Sequence, residues 1–203
     1  MPTKFSQQEQ QIIREKLVNK ATEFFSKHGF KKTSVKELTD AVGISKGSFY
    51  RFFTSKEELL FEVFEEQEKF RNKIMSEVVN SDMEAEEAIK YLFHKALENI
   101  ERNQIFQKIY EENLMERIIR KIPPQRIKKH QEQDLNDAIG FIEHLQKNSN
   151  LIDEPPEVIV GLFRAAFFLT LYENEIGKDI YEDVANLLIE CLAKGLTQTE
   201  EQK

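Results

Sequence analysis

With 203 residues, 40% hydrophobic and 32% charged, the chain is long enough to bury one substantial core and too apolar to belong with disordered proteins. Its single cysteine, Cys191, excludes an intramolecular disulfide and a cysteine-based metal cage, which suits a reducing cytoplasm; on composition alone this residue reads as a small core side chain. Net charge is −7 but divided: residues 1–56 hold 11 Lys/Arg against 5 Asp/Glu, and residues 57–203 hold 18 against 31. Only the amino-terminal end therefore suits a polyanion, while the remainder is repelled by one.

The amino terminus, "MPTKFSQQEQ", has no apolar stretch, so no secretory leader is expected. With 7 glycines, 5 prolines and apolar residues recurring at helical spacing, the pattern predicts an all-α fold of about nine helices. Four Ser/Glu pairs three residues apart read as capping boxes: Ser6 with Glu9, Ser34 with Glu37, Ser55 with Glu58, and Ser81 with Glu84. After Ser6, the stripe Ile13, Leu17, Ala21, Phe24 and Phe25 forms a helix that Gly29 would close. Ser34 opens the short helix "VKELTDA", Val42-Gly43-Ile44 turns the chain, and Ser45 opens a second short helix. Two short helices about a glycine-containing turn read as a helix-turn-helix over about 34–53.

Ser55 opens a long helix from Lys56 to Val79, and further helices are expected at 84–102, 104–121, 124–148, 156–175 and 178–195. Pro123-Pro124, Pro155-Pro156 and Gly177 mark boundaries, because proline is tolerated in a first turn and not beyond it. The tail "TQTEEQK" reads as a fraying end. The longest apolar run, "VIVGLFRAAFFLTLY", is shorter than the ~20 residues a membrane span requires and carries Arg164, so no membrane partner is expected.

Placed on a helical wheel, Ser45 to Phe53 are two-faced: Phe49, Phe52 and Phe53 share one arc, and Lys46, Gly47, Tyr50 and Arg51 occupy most of the other. Phe49 and Phe53 would anchor this element on the first helix. No acidic residue occurs from Ala41 through Lys56, although the other capped helices carry Glu in the first turn, where Ser48 stands here. Lys46, Arg51 and Lys56 supply cations, and Ser45, Ser48 and Tyr50 supply hydroxyls, a set suited to phosphates and base edges. Gly47 lies on the same arc, where the lack of a side chain lets backbone approach.

The run "LVNKATEFFSKHGFKKTSVKELTDAVGISKGSFYRFFTSKEELL", from Leu17 to Leu60, resembles the tetracycline-repressor (TetR) type transcriptional regulators. The matching residues are Gly29-Phe30, Thr33-Ser34-Val35, Ala41 to Ser45, Lys46 to Tyr50, and Phe53 to Leu60. The resemblance implies that Ser34 and Lys56 meet phosphates, that Lys46, Gly47 and Ser48 approach bases, and that Tyr50 and Arg51 brace phosphates. Lys20 and Thr39 depart from the alanine usual there, and Phe52 replaces a frequent His or Tyr, removing one phosphate donor.

The resemblance further implies a DNA-binding domain at 8–56 and a ligand-binding and dimerisation domain at 57–197, with the last two helices forming a four-helix bundle between two copies. The partners it implies are palindromic double-stranded operator DNA, a second copy of the chain and a small-molecule effector, in a cytoplasmic protein. The helix beginning "PPEVIV" is apolar nearly all round, which a subunit interface or a central core position would explain. Arg164, placed among Gly161, Ala165 and Ala166, needs a carboxylate or a dipole end, a place at the rim, or a ligand.

Phe93, Phe106, Tyr110, Phe141, Phe163, Phe167 and Tyr172 are the aromatic candidates for an effector cavity, and the same stripes also suit plain core. His94 near Glu98, His130 near Asp134 and His144 beside Glu143 read as solvated pairs, and no metal or cofactor is expected. No nucleophile motif, HExxH or phosphate loop is present, so an enzyme is not expected. The alternative to an effector-controlled regulator is a DNA-binding adaptor of the same fold governed by a protein partner.

Overall fold

The computed structural model describes residues 5–102, 105, 108–109 and 114–197. Among the described residues there are ten α-helices and no strand, with one isolated antiparallel bridge between Leu151 and Thr197. The helices are α1 (Gln7–His28), α2 (Val35–Val42), α3 (Lys46–Phe49), α4 (Lys56–Val79), α5 (Ala85–Arg102), α6 (Leu114–Lys121), α7 (Pro124–Asn148), α8 (Pro156–Leu169), α9 (Glu173–Ile176) and α10 (Tyr181–Gly195).

Two compact units divide the chain: Met1–Glu68 with Ile100–Ile127, and Lys69–Asn99 with Lys128–Lys203. The first is built on Leu17, Val18, Ala21 and Phe25 of α1, Leu38 of α2, Phe49, Phe53, and Leu59, Leu60 and Val63 of α4. Each such Val, Leu or Phe side chain contributes roughly 1.5–3 kcal/mol on burial. Ile105, Ile109, Leu114 and Ile118 complete the cluster. In the second unit Met75, Ile89, Phe93, Phe141, Ile142, Ile159, Val160, Ile189 and Leu192 share a separate core.

The boxes at Ser6 and Ser34 form as expected, each Ser oxygen accepting from the amide of the Glu three residues on and each Ser amide donating to that carboxylate at 2.7 Å. The other two differ. Ser55 Oγ accepts from the Glu58 amide at 3.0 Å, but the Glu58 carboxylate reaches one residue further back and accepts from the Thr54 amide and hydroxyl, both at 2.6 Å. The expected box at Ser81 does not form. Ser81 follows the end of α4, its hydroxyl donates to the Val78 carbonyl at 2.7 Å, and α5 starts only at Ala85. A hydroxyl beside an orphan helix carbonyl satisfies that carbonyl first.

The expected helix 156–175 is divided in two, Pro156–Leu169 and Glu173–Ile176. Thr170 Oγ1 donates to the Phe167 carbonyl at 2.7 Å, and the Thr170 carbonyl accepts from the Tyr181 hydroxyl at 2.7 Å, so side chains take over where helix amides would continue. The last helix accordingly starts at Tyr181, after Gly177 at φ 104°. Of the expected helix 104–121, Leu114–Lys121 is described as α6. Among the described residues no helix is long and apolar enough to cross a membrane.

Candidate nucleic-acid interface

The α2–α3 element is placed by local chemistry. Gly43 adopts the left-handed conformation at φ 78°, which favours glycine, and its amide donates to Thr39 at 2.9 Å, ending α2. Ser45 then caps α3, its Oγ accepting from the Ser48 amide at 3.1 Å. Helix α3 is a single turn, shorter than the expected Ser45–Phe53, but i→i+3 and i→i+4 bonds carry the winding onward. The Arg51 amide donates to Ser48 at 3.1 Å, and the Phe52 and Phe53 amides donate to Phe49 at 2.9 and 3.0 Å.

The aromatic row divides as its spacing predicts. Phe49 is 0% and Phe53 1% exposed, their rings 5.8 Å apart within the core that includes α1. Ser45, Lys46, Gly47, Tyr50 and Arg51 are exposed and Ser48 is half-buried. Tyr50 keeps half its surface in solvent while its ring packs edge-on against Phe49 at 5.3 Å. The resulting surface is cationic and hydroxyl-rich and carries no acid, an arrangement suited to phosphates and groove edges.

Gly47 has no internal reason to be glycine. Its φ is not positive, and a Cβ built on it meets only Ser45 Oγ at 3.8 Å, an ordinary contact. Its lack of a side chain matters only to something that approaches from outside.

Phe52 takes neither extreme. Half-buried, its ring lies 6.1 Å from that of Phe5 ahead of α1, and its carbonyl accepts from Arg14 Nη1 at 3.0 Å. Arg51 lies over the Phe5 ring at 5.4 Å. Phe5 and Arg14 are thus part of the support for this surface. Sequence reasoning missed both, because neither lies within the 34–53 motif and only the fold brings them to it.

Lys56 is also placed differently from the expectation of an outward phosphate contact. Its ammonium donates to the carbonyls of Phe30 and Thr33, both at 2.7 Å, and sits 4.0 Å from the Phe30 ring centroid. Ser34 is exposed; its amide is held by Glu37, whose carboxyl is kept below its ordinary pKa by the Ser34 hydroxyl and amide.

The aromatic candidates for an effector cavity are not gathered at one point. Phe93 and Phe141 are buried in the same core, and Phe163 meets Phe93 edge-on at 5.4 Å. Phe167 is half-buried and Tyr172 is exposed. Phe106 and Tyr110 lie outside the described residues. Arg164, exposed on α8, pairs with Asp134 at 2.7 Å, and Asp134 also pairs with Arg71. Cys191 is exposed, correcting its expected place in the core: Ile189, Leu192 and Ala193 occupy the buried face of α10, leaving 191 on the other. Among the described residues no group of three or more His, Cys, Asp or Glu is arranged to hold a metal.

Residues 17–63 match the pattern of the bacterial regulatory proteins of the tetR family. That stretch spans α1 from Leu17, α2, α3 and the first turns of α4. Among the relatives of this chain is the HTH-type transcriptional regulator YhgD of Bacillus subtilis, 30% identical over 103 residues, which are 50% of this chain and 54% of YhgD. A second is the HTH-type transcriptional repressor KstR2 of Mycobacterium tuberculosis, 29% identical over 99 residues, 49% of this chain and 50% of KstR2. The chain thus spans about half the length of the curated relatives it matches.

Solved structures agree on the fold. A TetR-family regulator of Pectobacterium atrosepticum superposes with a TM-score of 0.72 at 18% identity, covering 96% of this chain and 99% of that one. KstR2, a ketosteroid transcriptional regulator, superposes with a TM-score of 0.60 at 20% identity, covering 92% and 95%.

Proposed function

We propose that this chain is a TetR-type homodimeric transcriptional repressor that binds a palindromic operator through α2 and α3 and is released by a small apolar effector. The observation that carries the reading is the exposed, acid-free surface of Ser45, Lys46, Gly47, Tyr50 and Arg51, held in place by the buried rings of Phe49 and Phe53. On this reading Lys46, Gly47 and Ser48 meet base edges and nearby backbone, Tyr50 and Arg51 brace phosphates, and the Ser34 and Ser45 hydroxyls donate to phosphates at their helix starts. Lys56 contributes through the backbone at the start of α4, since its ammonium is engaged internally.

Two exposed apolar stripes support the dimer. On α8, Val158, Leu162 and Leu169 run with the exposed small residues Gly161 and Ala165; on α10, Val184 and Leu187 run with Cys191. Val158 is 58% and Leu187 65% exposed, values at which a second copy would gain much apolar burial. Residues 8–56 would read DNA, and 57–197 would dimerise and bind the effector. Effector binding would shift α4 and move paired recognition helices off the ~34–36 Å separation of successive major grooves. KstR2, named for ketosteroids, supports an apolar effector.

In vitro selection from a random-sequence duplex library tests the reading. Enrichment of an inverted repeat with half-sites about one helical turn apart is expected; failure to enrich any sequence would remove it.

A further inference from the structure

Beside the buried rings of Phe49 and Phe53, one polar side chain ties the turn that follows α3 to α1 and α4, and we infer that Arg14 is a positioning residue for DNA binding. The inference rests on the DNA-binding reading above and adds to it a residue outside the helix-turn-helix. Arg14 lies on α1, on a half-buried position. Its Nη1 donates to the Phe52 carbonyl at 3.0 Å, its Nε donates to Glu62 Oε1 at 2.6 Å, and its Nη2 pairs with the other oxygen of the same carboxylate. The guanidinium carbon lies 4.5 Å from the centroid of the buried Phe53 ring. One planar fork therefore joins α1, the end of the recognition turn and α4.

The chemistry requires that fork. The winding that begins at Ser45 ends at Phe53, so the Phe52 carbonyl has lost the amide that a continuing helix would offer it. A charged donor supplies the missing bond. Lysine could place a cation nearby but lacks the geometry to hold a carboxylate with two donors and a carbonyl with a third.

Glu62 fixes the plane of the fork, and its surroundings explain how. It is the more buried partner, with a side chain 15% exposed against 33% for Arg14. Arg126 approaches the same carboxylate at 4.0 Å while donating to Glu58 at 3.2 Å and Glu65 at 2.7 Å. The row Glu58, Glu62 and Glu65 on α4 is thereby met by a guanidinium on each side. The charge of Arg14 is spent inside the unit, on Glu62, and what it provides to DNA is the position of the backbone that carries Tyr50 and Arg51.

Amide hydrogen exchange and DNA binding together test this, using the full chain as wild type, Arg14→Gln, Arg14→Lys, Glu62→Gln and Lys46→Ala. In Arg14→Gln, Arg14→Lys and Glu62→Gln, the Phe52 and Phe53 amides are expected to exchange faster while the amides in the middle of α1 and α4 keep wild-type protection. Affinity for the duplex recovered by selection should fall about tenfold in Arg14→Gln. The slope of log affinity against log salt should stay at its wild-type value, whereas Lys46→Ala should reduce it by about 0.9.

Wild-type exchange at Phe52 and Phe53 in all three variants would overturn the inference, as would protection lost evenly through α1 and α4. A salt slope reduced in Arg14→Gln as in Lys46→Ala would also overturn it, by making Arg14 a direct phosphate contact. If the wild-type protein bound no duplex, the DNA reading would fail, and the exchange data would still decide whether Arg14 positions the turn.

Discussion

The Lys56 ammonium donates to the Thr33 carbonyl at 2.7 Å and, at the same distance, to that of Phe30, so the first turn of α4 holds the loop between α1 and α2. Thr33 is itself buried and donates its hydroxyl to the Gly29 carbonyl at 3.0 Å. Lys56→Ala leaves two carbonyls without their charged donor and should lower stability by about 1–3 kcal/mol. Urea denaturation should show a lower midpoint with an unchanged slope. An unchanged midpoint would mean that water replaces the ammonium at no cost.

Gly47→Ala separates fold from function. Nothing in the chain opposes the added methyl, and alanine is favoured over glycine in a helix by roughly 0.5–1 kcal/mol. Thermal stability should therefore stay level or rise slightly. Operator affinity should fall by about tenfold or more, the equivalent of one lost close contact, as read by fluorescence anisotropy. Undiminished affinity would show that position 47 does not approach DNA.

Gly161→Arg tests the proposed subunit interface. A Cβ at Gly161 meets nothing within 4 Å inside the chain, so the substitution should leave the protomer folded. Placed against a second copy, the new cation would be buried without a partner at a cost of several kcal/mol. Sedimentation equilibrium should show a dimer for the wild type and a monomer for the variant. A dimer of unchanged affinity would locate the interface elsewhere.

Acid should loosen the amino-terminal unit. Burial opposes ionisation of Glu58, but hydrogen bonds from the Thr54 hydroxyl and amide, with the charges of Arg126 and Arg14, outweigh it and hold the carboxyl below its ordinary pKa. Glu9 and Glu37 are lowered by their capping serines. For a carboxyl lowered in the folded state, the stabilisation is fully present above the ordinary carboxylate range and is lost as pH falls through the folded value. The melting temperature followed by circular dichroism should drop between about pH 5 and pH 3, and less steeply in Glu58→Gln. Identical profiles for the two proteins would remove Glu58 from the account.

Local signals were legible in proportion to how short their range is. The boxes at Ser6 and Ser34, the glycine ends at Gly29 and Gly43, and the burial of Phe49 and Phe53 depend on residues within one or two turns, and the structure shows them as spacing predicts. The box at Ser81 fits the same pattern and does not form, because the end of α4 offers Ser81 a carbonyl that a pattern of letters does not display. Arg164 shows an intermediate case. Its apolar neighbours left a carboxylate, a dipole end, the rim or a ligand open to it, and the fold supplies a carboxylate, Asp134, thirty positions away and shared with Arg71.

The sequence by itself determined the all-helical class, the caps at Ser6 and Ser34 and an acid-free cationic face, because each follows from periodicity and from hydrogen bonds between neighbours along the chain. The tertiary structure alone decided where charges and exposed groups finally point. It turned Lys56 inward onto Thr33, brought Arg14 to the Phe52 carbonyl across 38 positions of sequence, and left Cys191 on the exposed side of α10. A long cationic side chain reaches many acceptors with similar local energy, and only the packing of distant elements selects among them.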